Sequence, residues 1–482
     1  MAFLIGGANS LAAGYDIENS AMFNGDSSVM TKTPGSEGNR RIWTFSGWFK
    51  RCKMAYRGML FSVIPSSPSD TNKLMILFHQ NDNLEVGLNS KNILNTNMLF
   101  RDPSAWYHIV VAADTTDGTA ANRFKLYING VQNTSWSTTN LPAEDDDLGI
   151  NQSGEVHAIG EQADGSNPFD GYMSEVHFID GTQHAASSFG EFDEDSGIWK
   201  PKKYTGSYGT NGFFLEFQQT GSSANASGFG ADTSGNGNHH GINGFGAFQV
   251  TSDTPTNNFC TLSSIGPGLT TSSASVANES LSVGNTGLTG YDGSSTVEST
   301  MAVANGKWYV EYKLTDVQNA QMGICGGINR TDDYLGNSEY SYGYISSNAT
   351  AGDTGIYNNN SLINIFRDGV QTDGEIHMLA FDLDNNKLWI GQNGTWKNSS
   401  DPTDSSGGGG QAISAAASTK AQHYSVGFRN GSADSATSYI NFGCPAYANS
   451  SSQSDANGYG DFEFAPPTGY YALCTKNIAE YG

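Results

Sequence analysis

The sequence predicts an all-β chain built as two β-sandwiches in tandem, and three observations carry that prediction. The first is the stretch Trp106 to Val131, WYHIVVAADTTDGTAANRFKLYINGV. Trp106, His108, Val110 and Ala112 fall on one face of a strand and Tyr107, Ile109, Val111 and Ala113 on the other. Small and polar residues from Asp114 to Asn122 turn the chain. Phe124, Leu126 and Ile128 then alternate with Arg123, Lys125 and Tyr127, and Asn129-Gly130 supplies the φ > 0 pair of a type I′ turn. The second observation is a like unit far downstream, His377 to Thr395, HMLAFDLDNNKLWIGQNGT, with its own Asn393-Gly394 turn. The third is composition. With Gly at 59 residues and abundant Ser, Thr and Asn, short strands joined by turns fit better than helices. Almost no segment repeats apolar residues at i, i+3 and i+4 over three turns.

The elements follow in order. Residues 1–18 are small and flexible-looking, either a tail that docks on another subunit or a loose end. Strands begin at Asn19, with Ala21–Phe23 and its Asn24-Gly25-Asp26 turn. Arg41 to Lys50, RIWTFSGWFK, alternates large and small residues as an inner sandwich strand does. Leu60–Val63, Lys73–Phe78, His157–Gly160, Gly171–Ile179 and Gly212–Phe217 extend the first domain over 19–250. Residues 251–280, opening on Thr254-Pro255-Thr256-Asn257-Asn258, read as a linker. The second domain covers 281–482, with strands at Gly306–Tyr312, Met322–Ile324, Tyr342–Tyr344, Ile376–Asp382, Lys387–Ile390, Tyr424–Phe428 and Ile440–Gly443. Ser405 to Ser418, SSGGGGQAISAAAS, is a low-complexity insertion, flexible on composition.

Composition also excludes. Lys+Arg 24 against Asp+Glu 48 gives a net charge of −24 in 482 residues, the wrong sign for nucleic acid or an anionic membrane. Cys52, Cys260, Cys325, Cys444 and Cys474 are scattered without a CxxC, so buried thiols are expected rather than a zinc site or disulfide framework. The N-terminus lacks a basic n-region, and no stretch reaches the ~20 apolar residues of a membrane helix. These features lead us to expect a protein made in a cytoplasm.

Five groupings are candidates for chemistry. Glu191, Asp193 and Asp195 have the i, i+2, i+4 carboxylate spacing of a strand-borne glycosidase pair. Phe and Glu between them, with Gly190 and Ser196-Gly197 alongside, favour a solvated loop, so no catalytic residue is assigned and no enzymatic activity is expected. Asp232, Asn236 and Asn238 offer oxygens at a spacing Ca²⁺ takes, as does the run Glu144–Asp147; side chains of this kind also close their own turns. His239-His240 is a weak transition-metal pair, with a surface location as its default. Tyr334, Tyr340, Tyr342, Tyr357 and Asn359 combine aromatic faces with amides on loops, the composition of a carbohydrate-binding surface. Trp43, Trp48, Trp106, Trp308 and Trp389 sit in strands and are expected in the core.

The order N-S-A-M-F, F-S-G-W-F-K-R, W-Y-H-I-V-V, L-Y-I-N-G-V and G-Y-M-S-E-V-H-F across about 20–180 resembles a concanavalin A-like jelly roll of the laminin G type. G-K-W-Y-V-E-Y at 306–312, M-G-I, the Asp382 hairpin and a closing N-F-G strand are similar to SPRY domains. Between them, I-D-G-T (179–182), S-F-G-E (188–191), S-G-I-W-K-P-K-K-Y (196–204), Y-G-T-N-G-F-F-L-E-F (208–217) and D-T-S-G-N-G-N (232–238) resemble virion and tail-fibre-like proteins of tailed phages, notably those of marine bacteria. That resemblance implies a tail or capsid fibre subunit, made in the host cytoplasm and residing in the virion. It further implies other virion proteins as partners, host-surface glycan as ligand, and a homo-oligomer, a trimer among the options. A purely architectural decoration protein and a glycan depolymerase are its alternatives.

Overall fold

A computed structural model describes residues 14–64, 73–88, 93–263, 296–314, 321–326, 335–345, 354–366, 372–404, 406, 408–416, 422–429 and 438–482, together with the backbones of 275–277, 282–284 and 437. The chain is all-β and divides into two compact units after Asn257. The described strands pair antiparallel throughout.

The first unit stacks two eight-stranded sheets. One runs Val131–Gln132, Phe124–Ile128, Trp106–Asp114, Ile42–Arg51, Asp170–Asp180, Ser20–Asn24 and Val250–Thr251, with Phe213–Leu215 also pairing Asp170–Asp180. The other runs Trp136–Thr139, Ile93–Leu99, Asn83–Gly87, Leu74–Phe78, Gly58–Val63, His157–Ile159, Val29–Lys32 and Gly241–Asn243. The hairpin expected from the sequence is present, with Ile109 opposite Ile128 and Ala113 opposite Phe124. Asn129 (φ 47°) and Gly130 (φ 80°) form its turn. Tyr107, Ile109, Val111 and Ala113 enter the core between the sheets, among Trp43, Phe45, Phe61, Phe78 and Phe178. The opposite face, at Val110, carries a second apolar layer of Ile179, Ala186 and Phe189, with Trp199, Tyr204 and Tyr208 packed against it.

Alternation in Asp170–Asp180 breaks midway. Met173 faces the core, yet so do Val176 and Phe178. A bulge explains it: the register with Ile42–Arg51 jumps between Ser174 and His177, and Glu175 takes φ 50°.

The second unit also pairs two sheets. The larger runs Ser275–Ala277, Ser282–Gly284, Thr437–Asn441, Lys307–Lys313, Ile376–Asp382, Lys387–Gln392 and Thr395–Trp396, with Gln411–Ala412 added to Lys387–Gln392. The smaller runs Val297–Val303, Tyr424–Arg429, Gln321–Gly326, Ser341–Ile345, Gly355–Asn358 and Ser361–Ile365. Tyr312 stacks on Phe428 and Tyr344 meets His377, each at 5.3 Å, so the two sheets face each other. The outer face of the larger sheet, at Tyr309, Met378 and Trp389, is covered by Phe259, Phe462, Tyr470 and Cys474. Buried Glu311 fastens that cover: its carboxylate accepts the backbone N–H groups of Glu463 (2.9 Å) and Phe464 (2.8 Å), the Tyr309 hydroxyl and the Asn441 amide. The chain closes on the helix Thr475–Tyr481.

The structure corrects several boundaries. The expected loose N-terminal segment 1–18 is anchored at its end: Tyr15 donates to Glu175, and Ile17 exchanges two hydrogen bonds with Thr256; residues 1–13 lie outside the described ones. Residues 251–257 are no linker, because Asp253 is buried beneath the first unit's sheet. Phe259 and Cys260 belong to the second unit's core, which places that unit's start well before 281. The insertion 405–418 is packed over 411–416, where Tyr424 donates to the Ser414 carbonyl and Ile413 and Ala416 are buried. Four of the five strand tryptophans are buried; Trp106 is half-buried. All five cysteines are buried thiols. Among the described residues no helix is long and apolar enough to cross a membrane.

Candidate functional site

The tyrosine-rich stretches of the second unit meet in one construction. Gly355–Asn358 turns through Asn359 (φ 49°) and Asn360 (φ 58°) into Ser361–Ile365, the last strand of its sheet. A two-residue turn with both φ positive is a type I′ turn, and asparagine tolerates it. The loop 335–341 lies against this hairpin. Asn358 donates from its amide to the carbonyls of Ser338, Glu339 and Ser341 at 3.2, 2.9 and 3.0 Å. The backbone N–H groups of Asn359 and Asn360 donate to the carbonyls of Ser338 and Gly336. Gly336 (φ +88°) leaves room for Tyr357.

The clamped surface presents Glu339, Asn359 and Asn360 exposed, with Tyr340 and Tyr357 half-exposed. Tyr340 donates to Glu339 at 3.1 Å. Ile363 and Ile365 lie on the edge strand Ser361–Ile365, each more than 40% exposed. Ring faces beside a carboxylate and amides held on a rigid frame are what a flat polar ligand such as a sugar ring uses. Tyr342 is not part of this surface. It is 5% exposed, and its hydroxyl accepts the Ser414 N–H at 2.9 Å, fixing the 411–416 segment. Tyr334 lies outside the described residues. The clamp residue, Asn358, is absent from the sequence-based set; its signal was the Asn-Asn-Asn run itself.

Asp232, Asn236 and Asn238 come together on the first unit, and their side chains bond to nearby backbone. Asp232 Oδ1 accepts the N–H groups of Phe214 and Ser234, and Oδ2 accepts that of Asn238. The Asn236 amide donates to the carbonyls of Gly209 and Gly212, and that of Asn238 to Thr210 and Gly212. These bonds close the 232–238 turn on the 209–212 loop. His239 accepts the Asp232 N–H through Nδ1, whereas His240 is buried edge-on to Phe213. The pair is therefore split between a turn and the core. Among the described residues no group of three or more His, Cys, Asp or Glu side chains is arranged to hold a metal.

The carboxylates Glu191, Asp193 and Asp195 sit on and beside a short hairpin, Gly190–Phe192 with Trp199–Pro201. Asp193 accepts the N–H groups of Asp195 and Ser196 and pairs with Lys200 at 3.2 Å. The Ser196 bonds and Lys200 hold its carboxyl down at about 2, leaving no proton to donate at neutral pH. Beneath this hairpin, Trp199 donates from Nε1 to His108 Nδ1, and Ser46 Oγ lies 3.0 Å from His108 Nε2. With Nδ1 accepting, the neutral ring carries its proton on Nε2 and donates to Ser46. It cannot take the serine proton, so the pair is no nucleophile and base.

Residues 23–186 match the family profile described as the concanavalin A-like lectin/glucanases superfamily. The chain thus carries a concanavalin A-like sandwich of the laminin G type in its first unit. No curated protein sequence matches significantly. Similar solved structures include the PSpry domain of TRIM65, at 15% identity over 38% of this chain and 92% of that one, with a TM-score of 0.26. A putative carbohydrate-binding protein from Bacteroides ovatus is 14% identical over 48% of this chain and 59% of its own, with a TM-score of 0.32. A heptameric SAP-like pentraxin from Limulus polyphemus is 16% identical over 34% and 78%, with a TM-score of 0.26.

Proposed function

We propose that this chain is a virion structural protein of a tailed phage, displayed as a tail or capsid fibre subunit, that holds host-surface carbohydrate. The observation that carries the binding role is the clamped platform of Tyr340, Tyr357 and Asn359, where an Asn358 amide and two backbone bonds fix the loop to the hairpin. The lectin/glucanase description of the profile matched by the first unit supports the same class of ligand. The virion role rests on the resemblance of the 179–238 strings, which also favours a homo-oligomer. Three backbone N–H groups on Asp232 support glycan binding without Ca²⁺.

A second, architectural reading draws on the first unit. The Trp199 ring packs on Gly130 and Phe192, and Phe192 and the chain neighbours Val131 and Ile198 are all at least half exposed. Apolar residues exposed in this way suit contact with a neighbouring protein.

Isothermal titration with envelope polysaccharides tests the first reading. Saturable binding that weakens about tenfold or more in Tyr340→Ala or Tyr357→Ala supports it. Binding unaffected by both changes moves the ligand elsewhere. Labelled antibody on intact particles tests the virion role: decoration of tail or capsid is expected, and unlabelled particles refute it.

A further inference from the structure

We propose that Lys50 and Asp253 are joined by a side-chain amide bond that the folded chain forms by itself. Lys50 lies in Ile42–Arg51, paired on one side with Trp106 and on the other with Tyr172. Both Lys50 and Asp253 side chains are completely buried, with Nζ 2.8 Å from Oδ2. Trp106 donates from Nε1 to the other carboxyl oxygen at 3.2 Å, and the Tyr172 ring centre is 5.4 Å from Nζ. The backbone of Asp253 is pinned as well: its N–H donates to Thr251 Oγ1, and its carbonyl accepts the Ser20 hydroxyl at 2.6 Å. Neither side chain is free to swing away, and Nζ is no more than one carboxyl C–O bond farther from Cγ than from Oδ2.

The condensation begins with one proton passing from the Lys50 ammonium to the Asp253 carboxylate across their 2.8 Å contact. The products are a neutral amine and a neutral acid held in contact, the arrangement in which proximity accelerates condensation most. The Nζ lone pair attacks Cγ and the Nζ–Cγ bond forms. The Cγ–Oδ2 bond breaks, and that oxygen leaves as water with the acid proton and one proton from nitrogen. Oδ1 remains as the amide oxygen, and the Trp106 N–H faces it where negative charge gathers during attack. No oxidant, reductant or cofactor enters the balance.

The bond has a mechanical meaning. The strand Val250–Thr251 is held by only two register pairs, to Ser20 and Ala21. A covalent link at Asp253 carries a pull from the following chain into Ile42–Arg51, in the middle of the sheet, instead of peeling the edge.

Intact mass under denaturing conditions decides the matter. The full chain, folded and held for days at neutral pH, is expected one water lighter than its sequence, after allowance for the initiator methionine. Protease digestion is expected to release a branched peptide containing both residues, and Lys50→Met and Asp253→Ala should each restore the sequence mass. A wild-type chain at full sequence mass overturns the proposal and leaves an ion pair only. A water loss that persists in Lys50→Met overturns it equally, because the link would lie elsewhere.

Discussion

Gly336 approaches Tyr357 so closely that a β-carbon at position 336 would lie 2.6 Å from the Tyr357 carbonyl oxygen. Backbone cannot give way as a flexible side chain can, and the positive φ of Gly336 adds strain for any other residue. The glycine therefore sets the distance between the loop 335–341 and the hairpin that carries Tyr357.

Gly336→Ala is expected to destabilise the second unit by about 1–3 kcal/mol and to weaken glycan binding in parallel. Calorimetry of the second transition and titration with polysaccharide check the two effects. A binding loss without destabilisation would still fit a displaced platform; neither effect would refute the close approach.

The two units are expected to respond oppositely to pH. In the first, burial lowers His108 to about 3, His157 to about 4 and His240 to about 3. Each must stay neutral to remain folded, so their contribution is present above the unfolded value near 6.5 and is lost as pH falls from there toward 3. In the second, burial raises Glu311 to about 7, opposed by hydrogen bonds from Phe464, Glu463, Tyr309 and Asn441. A raised carboxyl favours folding below its unfolded value near 4.5, and that contribution is lost as pH rises through about 7. Calorimetric scans from pH 5 to 8 should show the first transition rising and the second falling.

Glu311→Gln isolates the carboxyl's share. The variant is expected to flatten the second transition's dependence on pH over the same window, a difference on the order of 3 kcal/mol across the shift. An unchanged slope would assign the dependence to another group.

Asp232→Ala is expected to cost about 1–3 kcal/mol, since three N–H groups lose one buried acceptor. The first transition should fall equally with and without EDTA. A wild-type transition that drops in EDTA and recovers with Ca²⁺ would instead give Asp232 a metal.

No release of reducing ends from polysaccharide is expected, because Asp193 is held ionised by Ser196 and Lys200. Release that disappears in Asp193→Ala or Glu191→Ala would establish the depolymerase reading.

Much of the fold was legible in the sequence because period-two alternation and Asn-Gly turns are local signals. Trp106–Asp114 with Phe124–Ile128, and Ile376–Asp382 with Lys387–Gln392, formed where those signals stood. What escaped depends on distant partners. The role of Asp253 needs Lys50 and Trp106, so a Ser/Thr/Pro-rich run read as a linker. Tyr342 looked like its neighbour Tyr340, yet it lies within the strand Ser341–Ile345 and its hydroxyl accepts the Ser414 N–H, which places it inside, whereas Tyr340 precedes that strand. Low-complexity residues 411–416 gave no hint of the strand they join at Lys387–Leu388.

The central claim is glycan binding through the Tyr340–Tyr357 platform. Its most direct test is saturation binding of the full chain to polysaccharide extracted from host envelopes, beside the double variant Tyr340→Ala/Tyr357→Ala, each with and without EDTA. Saturable wild-type binding, indifferent to EDTA and lost in the folded double variant, is the predicted result. No binding by a folded wild-type chain, or equal binding by the variant, would contradict it.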